Sequence, residues 1–416
     1  MLQFDSLDYC QLRMTRAQAR DGIEPVKSSE AVENKRFGRG PDTPLTAAMN
    51  TYSAAVVALA VLIGIIFLHA PGWSDDEWAI TEPAQPPPDC RGESKWVEFQ
   101  GGQDGTARLI GKLCRPSHSN DARSNPVVVM AHGLGLVLDC SLGKFADAFV
   151  DEGIATFTFD YATFGRSSGF PRHMVDPTSH ITDIKAAIAT LVDRSKELGV
   201  DAGNIGLWGT SLGGGHVVSA SLDDAASSKS IRAVVSQVPH LASGVESVMG
   251  SFLRDPITYA PALGRVLAGV LKGSILGISG SSWYLPLHGK PGSAAAMQNS
   301  GDSEGYGSLC PLHLHESGFW KNAMTSGSVM RILLYRPLSK ITRSRSDDLD
   351  LPPTLLVAAE KDTLCPAMYA KHVAKRIENA ELFLLDGAGH FDVYGKELER
   401  VIQHEAAFLK KHLVTP

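Results

Sequence analysis

The feature that most constrains this chain is the run Gly209-Thr210-Ser211-Leu212-Gly213, followed by two more glycines at 214 and 215. The apolar segment IGLW (205–208) precedes it, and GGGHVVSASL (213–222), with helical spacing, follows it. A strand that turns at once into a helix leaves the residue at the corner with its side chain projecting. The flanking positions must be glycine, because a side chain there would run into the neighbouring strand and helix. Ser211 is that corner residue, with the positive end of a helix behind it.

The surrounding pattern supplies the sheet that such a corner requires. PVVVM (126–130) is a continuous apolar run, as expected of a strand buried on both faces. Residues 154–161, 205–208, 233–238, 354–359 and 382–385 repeat that character, and 96–100 with 107–115 read as an opening hairpin. Helical spacing falls between them at 145–152, 181–198, 213–222, 368–377 and 398–413. Strands alternating with helices imply a mostly parallel sheet covered on both faces. One stretch breaks the rhythm: residues 241–350 hold helix candidates and Gly/Ser-rich turns and are too long for a simple crossover. We read 95–240 and 351–416 as an α/β core and 241–350 as a helical cap inserted into it.

A serine hydroxyl is a weak nucleophile near neutral pH, so it needs a base within hydrogen-bond reach and a third group to hold that base. Asp362 follows the strand TLLVAA in EKDTLCP, and His390 follows LFLLD in DGAGHFDVY. The order serine, acid, histidine is that of the α/β-hydrolase fold. Glu360 and Asp392 are the substitutes for the acid. For a developing oxyanion, one donor is the backbone N–H of Leu212. The other is the N–H of Leu134, in the turn His132-Gly133-Leu134-Gly135 after PVVVM. His132 reads as a structural hydrogen-bonding residue and His216 as a packed one. His313 and His315 have no carboxylate or cysteine partners at metal-ligand spacing, so no metal is expected.

The chain before the core is different in kind. Residues 1–50 are largely polar, with a mixed-charge run at 33–39, and read as a disordered tail. Residues 43–74 contain no Asp, Glu, Lys or Arg, and 54–70 read AAVVALAVLIGIIFLHA. A run of that length matches a bilayer core of about 30 Å, so residues 51–70 are expected to form a transmembrane signal anchor. Lys35, Arg36 and Arg39 precede the run, whereas Asp75, Asp76 and Glu77 follow it. The expected topology is single-pass, with a cytosolic N-terminus. No Asn-x-Ser/Thr sequon marks a lumenal surface. Residues 71–94, with prolines at 71, 83 and 86–88, read as a stiff linker. The six cysteines are scattered. Cys90 and Cys114 flank the opening hairpin and could pair in an oxidising lumen, and the others read as core or surface thiols.

Several stretches together are similar to one branch of the fold: VVVMAHGLG (127–135), FDYATFGRSSGFPR (159–172), IGLWGTSLGGGHV (205–217), AVVSQVP (233–239), YLPL (284–287) and GHFDVY (389–394). They resemble the fungal polyketide transferases of fumagillin-type pathways and related toxin-biosynthesis hydrolases. More loosely, they resemble bacterial dipeptidyl-peptidase-like α/β-hydrolases. The likeness runs from about residue 95 to 413 and leaves out the first ninety residues. It implies the same three residues, Ser211, Asp362 and His390, and an acyl substrate delivered as an ester or thioester and passed to water or an alcohol. A carrier-bound polyketide fits that class.

A peptidase, or an inactive binding protein tethered to a membrane, is the competing reading. No cofactor is expected, since neither a GxxxxGK[ST] loop nor a dinucleotide fingerprint occurs. A net charge of −6 with no basic stripe gives no reason to expect nucleic acid.

Overall fold

The computed structural model describes residues 70, 72–74, 90–117, 125–223, 230–278, 282–317, 319–339, 341 and 351–414. The segment read as a disordered tail and nearly all of the apolar run at 51–70 therefore lie outside the described residues. Among the described residues no helix is long and apolar enough to cross a membrane.

The core is an eight-stranded sheet. Its strands are β1 (Glu93–Gly101), β2 (Ala107–Arg115), β3 (Asn125–Ala131), β4 (Ala155–Phe159), β5 (Val200–Thr210), β6 (Ile231–Gln237), β7 (Thr354–Ala359) and β8 (Ala380–Leu385). They lie in the order β8-β7-β6-β5-β3-β4-β2-β1. Strand β2 runs antiparallel to both β1 and β4, and every other pairing in this sheet is parallel. The central strands are apolar on both faces because both faces are covered: from Val127 to Ala131 every side chain of β3 is buried.

The helices of the core are α1 (Gly143–Asp151), α2 (Pro177–Asp193) and α3 (Leu212–Asp223). On one face α2 and α3 set Ile184, Ile188 and Val217 against Val127, Val129 and Leu207. On the other, Phe145 and Phe149 of α1 pack with Trp208 and Met130. Helix α2 starts where Asp176 caps it: the carboxylate accepts from the N–H of Thr178 at 3.0 Å, and Pro177 follows at the first position.

The insertion between β6 and β7 contains α4 (Gly244–Arg254), α5 (Pro256–Gly277) and α6 (Ser326–Leu334), with short strands Trp283–Leu285 and Met324–Thr325. A capping box between Ser243 and Glu246 starts α4, and the Asp255 side chain starts α5 by accepting from the Thr258 N–H. The remaining core helices are α7 (Ala367–Arg376) and α8 (Leu398–Leu413). Leu409 and Leu413 of α8 join the layer around Trp208.

Two expectations need correction. The stretch read as a linker has structured ends: Trp73–Ser74 pairs antiparallel with Tyr284 and Trp283 of the cap, and β1 begins at Glu93. The cysteines are less solitary than their spacing suggests. Cys90 and Cys114, whose pairing the sequence left open, form a disulfide across the edge of the β1–β2 hairpin, and Cys140 and Cys310 form a second one that joins the loop after β3 to the cap. Those two are 170 residues apart, a contact that spacing alone does not reveal. Cys365 is a buried free thiol.

Candidate active site

The turns that matter all leave the carboxyl ends of parallel strands. Ser211 follows β5, the 132–135 turn follows β3, His240 follows β6, Asp362 follows β7 and His390 follows β8. Ser211 holds a left-handed backbone with φ 57°, rare for a residue with a side chain. Its N–H donates to the Gln237 carbonyl at 2.9 Å, and its own carbonyl accepts from the His240 N–H at 2.8 Å. Neighbours on both sides fix the corner. The two motif glycines make it possible: a Cβ on Gly209 would lie 2.3 Å from the Gly213 carbonyl oxygen, and one on Gly213 would lie 2.4 Å from that of Ala131.

The three residues singled out from the sequence meet here. His390 Nε2 lies 3.1 Å from the Ser211 hydroxyl, and its Nδ1 lies 2.6 Å from Asp362 Oδ2. The other Asp362 oxygen accepts from the N–H groups of Leu364 at 2.8 Å and Cys365 at 2.7 Å, which fixes the carboxylate's direction. Burial disfavours charge on the His390 ring, but the charge and hydrogen bond of the Asp362 carboxylate, joined by Cys365, together outweigh it and hold the ring's pKa well above the ordinary value. The substitute acids serve elsewhere. Glu360 accepts from the Gly387 N–H at 2.8 Å, and Asp392 accepts from the Gly389 N–H at 2.6 Å and pairs with Lys396.

Leu134, Ser211 and Leu212 line one cavity of about 520 Å³ between core and cap. Leu212 opens α3, so its N–H has no carbonyl within the helix to bond. The turn bearing Leu134 is drawn close to the nucleophile: a Cβ on Gly133 would lie 3.3 Å from the Ser211 Cβ. The Leu134 carbonyl points the other way, accepting from the Tyr306 hydroxyl of the cap. His132 is buried, with Nδ1 3.1 Å from the Gly133 carbonyl and its ring against Tyr161; burial lowers its pKa to about 4. His216 is buried too, 3.0 Å from the Tyr335 hydroxyl, and its pKa is lowered to about 3 by burial.

Residues that the sequence did not flag complete the surroundings. His240 lines the cavity beside Ser211, and burial, followed by repulsion from His390, lowers its pKa to about 4. Asp302 of the cap is raised to about 6, chiefly by burial. Cys365 brings its thiol to the site, within a group in which its sulfur and ligand atoms of Asp362 and His390 all lie within 4.8 Å of one another. Those three could ligate a soft cation, but only by disturbing the bond that holds the His390 ring. His313 and His315 stand apart, on the short helix Leu312–Glu316.

Comparison with known proteins fits this geometry. The family model described as serine aminopeptidase, S33 matches residues 122–273, and that for TAP-like proteins matches 333–412. The quorum-quenching protein AidA of Acinetobacter baumannii is 33% identical over 289 residues, which span 69% of this chain and 87% of the relative. The crystal structure of the α/β-hydrolase GrgF from Penicillium sp. sh18 superposes with a TM-score of 0.58 at 22% identity, covering 78% of this chain and all of that one.

The chain belongs to the α/β-hydrolase family. Other relatives of this hydrolase include the polyketide transferase af380 of Aspergillus fumigatus, 24% identical over 293 residues spanning 69% of this chain and 90% of the relative. The resemblance to fungal polyketide transferases read from the sequence therefore holds, and the bacterial AidA stands beside it. The gap between the two family models, residues 274–332, falls wholly within the cap of the hydrolase. The serine aminopeptidase pattern thus runs through α4 and most of α5, and the unmatched stretch holds the cap strands Trp283–Leu285 and Met324–Thr325.

Proposed function

We propose that this hydrolase cleaves or transfers an acyl group from an ester or thioester through an acyl-enzyme on Ser211. The observation that carries the reading is the unbroken hydrogen-bonded series from the Ser211 hydroxyl through His390 to Asp362, opening on an apolar cavity. His390 Nε2 takes the proton as Ser211 Oγ bonds to the substrate carbonyl carbon. The N–H groups of Leu212 and Leu134 face the oxygen as it becomes negative. His390 then returns the proton to the departing alkoxide or thiolate. Water or an acceptor alcohol, deprotonated by the same ring, attacks the acyl-enzyme and releases Ser211.

Relatives named polyketide transferase and thiohydrolase support a polyketide-like acyl group as substrate. The apolar run at 51–70 would anchor the enzyme in a membrane with its N-terminus in the cytosol. The orientation gains support from the two disulfides, which persist in oxidising compartments and are rare in the cytosol. The test is labelling of the full chain by a fluorophosphonate, comparing it with Ser211→Ala. Labelling that needs Ser211 and fades on preincubation with an acyl thioester is the expected result. A folded protein that neither labels nor hydrolyses a panel of acyl esters and thioesters would overturn the reading.

A further inference from the structure

The cap turns an apolar face to the outside. On α5, Leu263, Leu267, Leu271 and Ile275 recur every four residues and Ile278 follows, which places all five on one side of the helix. Each is at least 38% exposed, and Ile278 is 89% exposed. Across 15 residues this stripe extends about 22 Å. Scattered exposed leucines are ordinary, but a continuous stripe of this length marks a surface that something covers.

Two observations identify what covers it. The first is where the cavity opens. Leu263 and Leu267 line the cavity from within and are exposed outside, as are Val248 of α4 and Met368 of α7. These four apolar groups form one side of the mouth, a good entrance from hydrocarbon, while Glu246 and Arg254 of α4 line it as well and lie exposed, as headgroup-facing charges would. The second is where the uncharged run at 43–74 ends. Trp73–Ser74 is hydrogen-bonded to the cap strand Trp283–Leu285, and that strand lies against α5, where a Cβ on Gly273 would meet the Trp283 Cβ at 3.1 Å. The apolar run thus joins the folded protein beside the C-terminal half of the stripe. Lys272 stands there with its ammonium 3.8 Å from the Trp283 ring centre, a pairing of aromatic and long basic side chain common at lipid headgroups.

We infer that the outer face of α4 and α5 rests on a phospholipid bilayer and that the cavity takes its acyl substrate directly from the lipid phase. The inference rests on the membrane anchor proposed above. The substrate class narrows accordingly to long-chain or polycyclic acyl esters and thioesters that partition into membranes.

The test uses the full chain reconstituted in phosphatidylcholine vesicles, with an environment-sensitive fluorophore attached at Leu267→Cys, Ile278→Cys or, on the core, Glu197→Cys. The expected result is blue-shifted emission at 267 and 278, quenched at least threefold more than at 197 by lipids spin-labelled in their acyl chains. Emission at 267 and 278 resembling that in water would overturn the inference. So would blue-shifted emission that lipid-borne quenchers do not reach, which would mean that a second copy or residues 51–69 cover the face. Flotation of the vesicles after an alkaline wash separates the two readings. A chain that floats with unquenched labels loses only the docked cap, and one that washes off loses the anchor as well.

Discussion

Glu405 offers the sharpest test of how the core is built. Its side chain lies buried between α8 and β5, and one oxygen accepts from the Trp208 indole N–H at 2.8 Å. Burial raises its pKa from the ordinary 4.5 to about 8, only partly offset by that hydrogen bond. The folded protein therefore holds a proton that the unfolded chain has released at neutral pH. A raised carboxyl pKa leaves stability whole below 4.5 and erodes it as pH climbs from there to about 8. At about 1.4 kcal/mol per pH unit, the loss is about 3 kcal/mol at pH 7 and approaches about 5 above pH 8. Glu405→Gln keeps the shape and the acceptor for Trp208 but has nothing to ionise. Urea unfolding at pH 5, 6.5 and 8, with disulfides intact, is expected to show curves that lie close together at pH 5 and diverge upward, the variant being the more stable at pH 8. Curves that stay parallel across that range would refute the reasoning, since the wild-type carboxyl would then ionise alike in both states.

Asp362→Asn is expected to lower kcat by about 10⁴-fold, the scale of losing the group that orients a triad histidine. Because the base must be neutral and Asp362 holds its pKa above 6.5, the acid limb of kcat/KM should lie above 6.5 in the wild type and move down in the variant; a limb that stays put would detach the acid from the base. Gly213→Ala should abolish fluorophosphonate labelling, since its methyl meets the Ala131 and His132 carbonyl oxygens at 2.4 and 2.5 Å, and circular dichroism would separate a shifted corner from global unfolding. Cys140→Ser should cost about 3–5 kcal/mol in urea titrations, as for a long closed loop, and reductant should lower the wild type at least as far, since it opens Cys90–Cys114 as well; equal stability of the oxidised wild type and the oxidised variant would mean the bond does not constrain the unfolded chain.

Much of this architecture is legible in the sequence where one physical signal acts alone. The central strands read correctly because burial on both faces leaves an unbroken apolar run, and 354–359 and 398–413 match the observed β7 and α8 to the residue. Strand β5 begins at Val200, five residues before the apolar segment, because its first residues pair at a less buried end of the sheet where apolarity is not required. The three site residues are legible because chain order and strand-end position constrain them jointly. His240, Asp302 and Cys365 carry no such signature; tertiary packing alone brings His240 and Cys365 beside Ser211 and sets Asp302 within electrostatic reach of His390. The same holds for Cys140 and Cys310, and for Trp73–Ser74, whose two residues are too few to show a period and pair with a strand some 210 positions away.

The Cys140–Cys310 bond closes residues 140–310 into a covalent ring. Ser211 lies inside that ring, while Asp362 and His390 lie beyond it, so the nucleophile and its base belong to topologically separate parts of one polypeptide. A protease that cuts the cap between α5 and residue 310 opens the ring without releasing a fragment, because the disulfide still ties the segment carrying Ser211 to the one carrying His390. Nicked enzyme should therefore survive as a two-chain molecule and come apart only on reduction. In an extracellular or lumenal setting rich in proteases, that linkage would let the exposed roof of the site tolerate a cut that would otherwise divide the catalytic machinery.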